Sequence, residues 1–216
     1  LADIAKASDV LVSVVVNAAQ TESVLFGDGT AQSGCVPHLK AGSVFVMCST
    51  VDPAFSVGLE KKLSDKGLHY IDAPISGGAA KAASGQMTMM TAGTPAAYEK
   101  AEVFLNAMAA KVYKLGDCAG AGSKVKIINQ LLAGVHIAAA AEAMATMKRA
   151  HKGAAANKIF IDAQVHPQVI AVIKTRAHWM GLECVVGDAE AFSPSAEFFG
   201  AVIGYLPPIP ALADGP

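Results

Sequence analysis

Through the first 115 residues, short apolar runs of strand length alternate with stretches of helical period, the pattern of an α/β domain on a mainly parallel sheet. Residues 10–16 are nearly all β-branched, which predicts a strand buried on both faces. Residues 21–26 read as a short helix and 43–48 as the next strand. Residues 53–66 read as a helix with Pro53 in its first turn and Gly67 closing it. A third strand is expected at 69–72, a fourth at 86–92, a helix at 95–109 and a fifth strand at 111–115. The residues following Leu1 already read as helix, with no charged-then-apolar leader pattern before them, so the chain reads as a fragment.

After Gly116 the pattern changes. Gly120, Ala121, Gly122 and Ser123 open a run compatible with helix to about Arg149, in which Gly134 is the one glycine. Its length exceeds the usual globular helix of about 11–12 residues, which suits a helix that links two domains or lies along a dimer interface. Residues 152–157, small and polar, read as a linker. Strands at 159–162, 184–186 and 201–205 around a helix at 167–180 make a second, incomplete α/β unit, and the proline-rich 206–216 reads as a poorly ordered tail. The expected architecture is thus α/β: a truncated Rossmann-type domain over 1–120, a long connecting helix over 121–150, and a small incomplete α/β lobe with its tail over 151–216.

Composition narrows the function. Of 216 residues 53% are hydrophobic and 16% charged, which supports a substantial core and excludes a disordered chain. Seventeen Lys and Arg balance eighteen Asp and Glu without a basic or acidic block, so nothing predicts nucleic acid or an anionic membrane as partner. The apolar stretch 127–141 is interrupted by Asn129, Gln130 and His136, and 198–213 by three prolines, so no spanning helix is expected. Cys35, Cys48, Cys118 and Cys184 show no Cys-x-x-Cys and no histidine at a zinc offset, which predicts buried, reduced thiols in a cytoplasmic protein and no metal site.

Two segments could carry chemistry. Asp72-Ala-Pro-Ile-Ser76-Gly77-Gly78 places a serine and two glycines just past a strand, where backbone N–H groups can face an anion; an ordinary glycine-rich loop has the same appearance. On the long helix, Lys126, Asn129, Gln130 and Ala133 share a face by their spacing, amid Ile127, Ile128, Leu131 and Leu132. A lysine acts as general acid or base once its pKa falls from about 10.4 toward 7–8, at a cost of roughly 4 kcal/mol; a solvated surface lysine is the plainer alternative. His166 reads as a helix-start residue, His136 as a core or interface residue, and Trp179, Met87, Met89 and Met90 as core packing.

Taken together, Asp72 to Gly78 followed by Gly120-x-Gly122-x-x-x-Lys126-x-x-Asn129 resembles the β-hydroxyacid dehydrogenases, the family of 3-hydroxyisobutyrate, tartronate semialdehyde and L-threonate dehydrogenases. The resemblance runs over residues 1–148 and includes Lys40-Ala-Gly-Ser43 and Cys48-Ser-Thr-Val-Asp-Pro53. It implies an NAD(P)-dependent oxidoreductase acting on a small hydroxy-carboxylate, with NAD or NADP as cofactor. It assigns Lys126 to the hydroxyl proton, Ser76, Gly77, Gly78, Asn129 and Gln130 to substrate, and Val16, Asn17, Ser49 and Thr50 to the nicotinamide. A homo-oligomer formed through the long helix would fit the same picture. Two departures stand out: Gln130 follows Asn129 where the family usually has a second asparagine, and no Gly-x-Gly-x-x-Gly occurs in the chain. Impaired cofactor binding is therefore expected.

From about Glu142 to Leu206 a different resemblance takes over. Met147 to Ala150, Ile159 to Ala163, Val165 to Ala177, Val185 to Asp188 and Phe199-Gly200 are similar to part of the glycine decarboxylase P-protein, a pyridoxal phosphate enzyme. Both families carry an Ala-rich stretch like Ala140 to Met144, so the chain reads as a chimera joined there. Lys174 is not the lysine that would hold pyridoxal phosphate, because that part of the P-protein has no counterpart here. The competing readings are a P-protein fragment and a non-catalytic packing module.

Overall fold

The structure is a computed structural model, and it describes residues 1–27, 33–151, 156–165 and 167–204. The chain divides into two compact units, Leu1–Gln130 and Leu131–Pro216. The expected linker centre, His166, the strand end at Tyr205 and the proline-rich tail lie outside the described residues.

The first unit runs α1 (Ala2–Ala7), β1 (Val10–Ser13), α2 (Ala18–Phe26), a 3-10 turn (Val36–His38), β2 (Val44–Met47), α3 (Pro53–Ser64), β3 (His69–Asp72), β4 (Ile75–Ser76), α4 (Gly78–Ala83), β5 (Thr88–Gly93), α5 (Pro95–Met108) and β6 (Lys111–Lys114), and then enters α6 (Ala121–Ala150). β1, β2 and β3 are parallel neighbours, as the pattern predicts. β5 then reverses, so the sheet, parallel in most of its pairings, carries an antiparallel step at β5. The reason is a hairpin. β3 and β4 pair with β5 in one unbroken antiparallel register, Ile71 opposite Gly93 through to Ser76 opposite Thr88. Between them lies Pro74, which has no N–H to give; its carbonyl accepts from Met90 at 3.0 Å.

The core forms on both faces of this sheet. Along β2, Phe45 and Met47 join Leu25, Leu59, Leu63 and Tyr70 on one side. Val44 and Val46 join Ile71, Met89, Ala97 and Leu105 on the other. The strand therefore reads as a continuous apolar run, since both faces are covered. β1 differs from its expectation: among the described residues it pairs only with β2, its first three positions are half-buried, and it ends at Ser13, leaving Val14 and Val16 exposed. β-branching marked a strand but could not tell an edge from a centre.

In the second unit β7 (Lys158–Asp162) is flanked by parallel β8 (Glu183–Gly187) and β9 (Phe198–Val202), with α7 (Pro167–Trp179) between β7 and β8. Its core joins Ile159, Ile161, Ile173, Ala177 and Phe199 to Met144 of α6. Trp179, expected inside, is 82% exposed, because the helix ends on it. Cys35 and Cys48 are buried thiols, whereas Cys118 is exposed and Cys184 half-buried; all four are free. α6 corrects the membrane expectation in one respect. Among the described residues it is long and apolar enough to cross a bilayer by length and composition, since Asn129, Gln130 and His136 interrupt the run without adding charge.

Candidate active site

The register of the parallel strands sets Ser13, Met47 and Asp72 side by side, so the chain leaves β1, β2 and β3 along one edge of the sheet. Such carboxyl edges are where α/β sheets bind ligands. Leaving β1, Asn17 caps α2, its Oδ1 accepting from the Gln20 N–H at 2.9 Å, while the Gln20 side chain accepts from the Val16 N–H at 2.8 Å. Leaving β2, Ser49 is buried and its hydroxyl donates to the Val15 carbonyl at 2.7 Å, with Thr21 Oγ1 3.1 Å away. That hydroxyl has one proton, and Val15 takes it, so Ser49 ties the two strand ends together. Thr50, Val16 and Asn17 are exposed on this edge. One hydroxyl there, Ser13 Oγ, is buried without a hydrogen-bond partner among the described residues.

β3 leads to the second wall. The β4 strand delivers Ser76 into a turn where Gly77 has φ +133° and Gly78 φ +66°, backbone conformations that exclude most side chains. A Cβ on Gly77 would also lie 2.8 Å from that of Lys81. Gly77 opens the short helix α4 without any side-chain cap, which leaves the N–H groups of its first turn without intrahelical acceptors.

Opposite this turn stands α6. Its first turn is held from β3, where Asp72 is fully buried. Asp72 Oδ2 accepts from the Gly120 N–H at 3.0 Å and the Ser123 N–H at 2.8 Å, and Oδ1 accepts from the Ser123 hydroxyl at 2.6 Å. Burial pushes this carboxyl above the usual range, opposed by those three donors. Gly122 lets the helix press onto the sheet, since a Cβ there would lie 2.5 Å from the Met90 carbonyl and 2.8 Å from that of Asp72. The Gly-x-Gly spacing is thus a close-approach device, and Asp72 an anchor. Neither role was assigned from sequence, because the anchor's partners lie 48 and 51 positions away; an acidic residue ending a strand beside Gly-x-Gly-Ser was the available signal.

Three residues past Ser123, Lys126 is only 6% exposed and donates from Nζ to Gln130 Oε1 at 3.0 Å. Burial holds its ammonium below the ordinary lysine range. Lys126 and Gln130 line a cavity of about 490 Å³ with Ile75, Ser76, Gly77, Gly78, Ala79, Ala82 and Met87. The structure therefore brings together five of the six residues expected to meet substrate. Asn129 is the sixth; it is exposed and outside the lining. At about 100° per residue, Asn129 and Gln130 fall on opposite flanks of Lys126, and the cavity lies on the Gln130 flank. Met87, expected only to pack, is half-buried and lines the cavity too. The cavity offers a buried amine, a carboxamide, a hydroxyl and open backbone on one side and a small apolar floor on the other. That set can hold a carboxylate and exchange a proton.

Comparison with known protein families gives two matches. Residues 1–116 match the family described as the NAD binding domain of 6-phosphogluconate dehydrogenase. Residues 130–209 match the glycine cleavage system P-protein family. Among curated relatives the chain is similar to an L-threonate dehydrogenase of Cupriavidus necator, 56% identical over 144 residues, covering 67% of this chain and 47% of that protein. It is also similar to an L-threonate dehydrogenase of Escherichia coli, 48% identical over 149 residues, with 69% and 48% covered. Among solved structures it resembles a 3-hydroxyisobutyrate dehydrogenase from Salmonella typhimurium at 48% identity and a TM-score of 0.62, covering 68% of this chain and 50% of that one. The chain spans about half the length of the curated relatives it matches.

Proposed function

The chain belongs, through residues 1–116, to the family of the NAD binding domain of 6-phosphogluconate dehydrogenase and stands with its β-hydroxyacid dehydrogenases, and on that premise we propose that it carries the hydroxy-acid half-site of an NAD(P)-dependent oxidoreductase. The observation that carries this reading is the single cavity shared by Ser76, Gly77, Gly78, Lys126 and Gln130.

In this reading the turn at Ser76, Gly77 and Gly78 receives the substrate carboxylate through the Ser76 hydroxyl and backbone N–H groups. Lys126, whose burial disfavours the charged form, takes the hydroxyl proton as the alcohol is oxidised. Gln130 keeps Nζ in place through Oε1, and its amide NH₂ remains for a second hydroxyl of a polyhydroxylated acid such as L-threonate. A bound nicotinamide would supply the hydride acceptor for the carbon that bears this hydroxyl. Exposed Val16, Asn17 and Thr50 fit that end of a dinucleotide, while Ser49 acts by bracing the edge. A pyrophosphate cradle is another matter: the 216 residues contain no Gly-x-Gly-x-x-Gly, and no residue is assigned to it.

The second unit takes no part in this chemistry. It is the P-protein-like segment, and its Lys174 is an exposed residue of α7. We assign it a packing role, with the chain a fusion of two family segments, and place the protein in a reducing cytoplasm on the strength of four free cysteines. The test supplies L-threonate with NAD or NADP and follows the formation of reduced nicotinamide. Turnover that falls about 100-fold or more in Lys126→Met supports the reading, by the usual size of a lost proton-transfer group. Turnover that survives the substitution overturns it.

A further inference from the structure

We propose that Asp72 is the positioning residue of this cavity: by holding the first turn of α6 against β3, it fixes how far Lys126 stands from the Ser76 turn. This rests on the reading of the cavity as a site, though its test needs neither substrate nor cofactor.

The geometry is a short, stiff bridge. On one side, Ser76 follows Asp72 by four residues along an arm whose pairing with β5 keeps one register throughout. On the other, Lys126 follows Ser123 by three residues along a helix, hence on the same side of it. Asp72 joins the two arms with three hydrogen bonds, and no residue of the bridge is exposed: Asp72 and Ser123 are both at 0%. Helices are ordinarily capped by a neighbour in sequence, which fixes where a helix starts but not where it sits. Here the cap comes from a strand 48 to 51 residues earlier, so it sets position in the fold as well. Gly122 adds a second constraint, because the helix lies against the carbonyls of both Asp72 and Met90, one on each strand of the hairpin that carries the turn.

A carboxylate suits the task better than its isosteres. Its two oxygens accept all three donors, and its charge complements the positive end of the helix dipole. An asparagine presents one acceptor oxygen and would turn an NH₂ toward a donor. A serine reaches one donor at most.

Lysine labelled with 13C at Cε reports the outcome, since the midpoint of its alkaline titration follows how much water reaches Nζ. Ser123→Ala removes one bond without changing charge; Asp72→Asn removes more. Leu105→Ala, in the core on the opposite face of the sheet, is the control for general loosening. If Asp72 positions Lys126, both site variants move the Lys126 midpoint upward, toward the ordinary lysine value, by roughly half a pH unit or more, and Leu105→Ala leaves it where it is. Removing the Asp72 charge alone would shift it downward, so a rise in Asp72→Asn comes from position. Should Asp72→Asn fail to fold, Ser123→Ala decides alone. An unmoved midpoint in the site variants, or an equal shift in Leu105→Ala, overturns the proposal.

Discussion

At the residue scale the chain shows what it costs to keep an amine dry. Lys126 has a folded-state pKa below its unfolded value of 10.5, so between the two the unfolded chain binds the extra proton and stability rises with pH. The penalty for burying the ammonium is present in full below the folded-state pKa and is lost as pH rises from there toward 10.5. Lys126→Met is therefore expected to stabilise the protein at low pH relative to the parent, with the gain shrinking as pH climbs toward 10.5. Paired urea titrations across that range check the sign; a gain that grows with pH contradicts it. Gly122→Ala makes the opposite case. Alanine improves helix propensity by about 1 kcal/mol, yet its Cβ would stand 2.5 Å from the Met90 carbonyl, and overpacking of that kind costs about 1–3 kcal/mol or more. Net destabilisation in denaturant melts is expected. Lys126, Ser76 and the two glycines were legible as candidates because glycine and polar residues on an apolar background stand out locally. Asp72 was not, since its function lies in three bonds to residues that only the folded chain brings near. Asn129 drew attention through a motif spacing that helix geometry turns away from the cavity.

At the element scale, periodicity located the helices and strands well wherever an element has a covered apolar face, as at β2, α3 and α5. It lost accuracy where the environment changes along an element. β1 stops at Ser13 because Val14 and Val16 have nothing to pack against. The two residues of β4 were invisible as a strand because Pro74 breaks the ladder beside them. The reversal at β5 was missed too, since hydrophobic runs carry no sign of strand direction. α6 illustrates a further point: within the second unit Leu131, Leu132, Val135 and Ile137 remain exposed on it, at 65%, 49%, 52% and 38%. An exposed apolar stripe of that kind favours association. Light scattering on a sizing column is expected to show concentration-dependent self-association that Leu131→Glu reduces at least several-fold; an unchanged profile would remove the stripe from any interface.

For the whole molecule, the two units carry two family resemblances in one chain. The 144 residues aligned with the L-threonate dehydrogenase and the stretch 130–209 matched by the P-protein family together exceed the 216 residues present, so the two resemblances overlap. On the fusion reading proposed above, the join lies near residues 138–150, inside α6. Sequencing single DNA molecules across the codons for residues 138–150 is expected to show one continuous reading frame through the join; reads that end or diverge there would mean that no such fusion exists. The central claim is narrower and can be tested on this polypeptide directly: the turn at Ser76 and the amine of Lys126 together bind a small hydroxy-carboxylate. Amide NMR during titration with L-threonate measures it. Saturable shifts at Gly77 and Gly78, accompanied by a shift of the Lys126 side chain and lost in Lys126→Met, are the predicted result. Resonances of the turn that stay fixed while the acid is raised to many millimolar would contradict it.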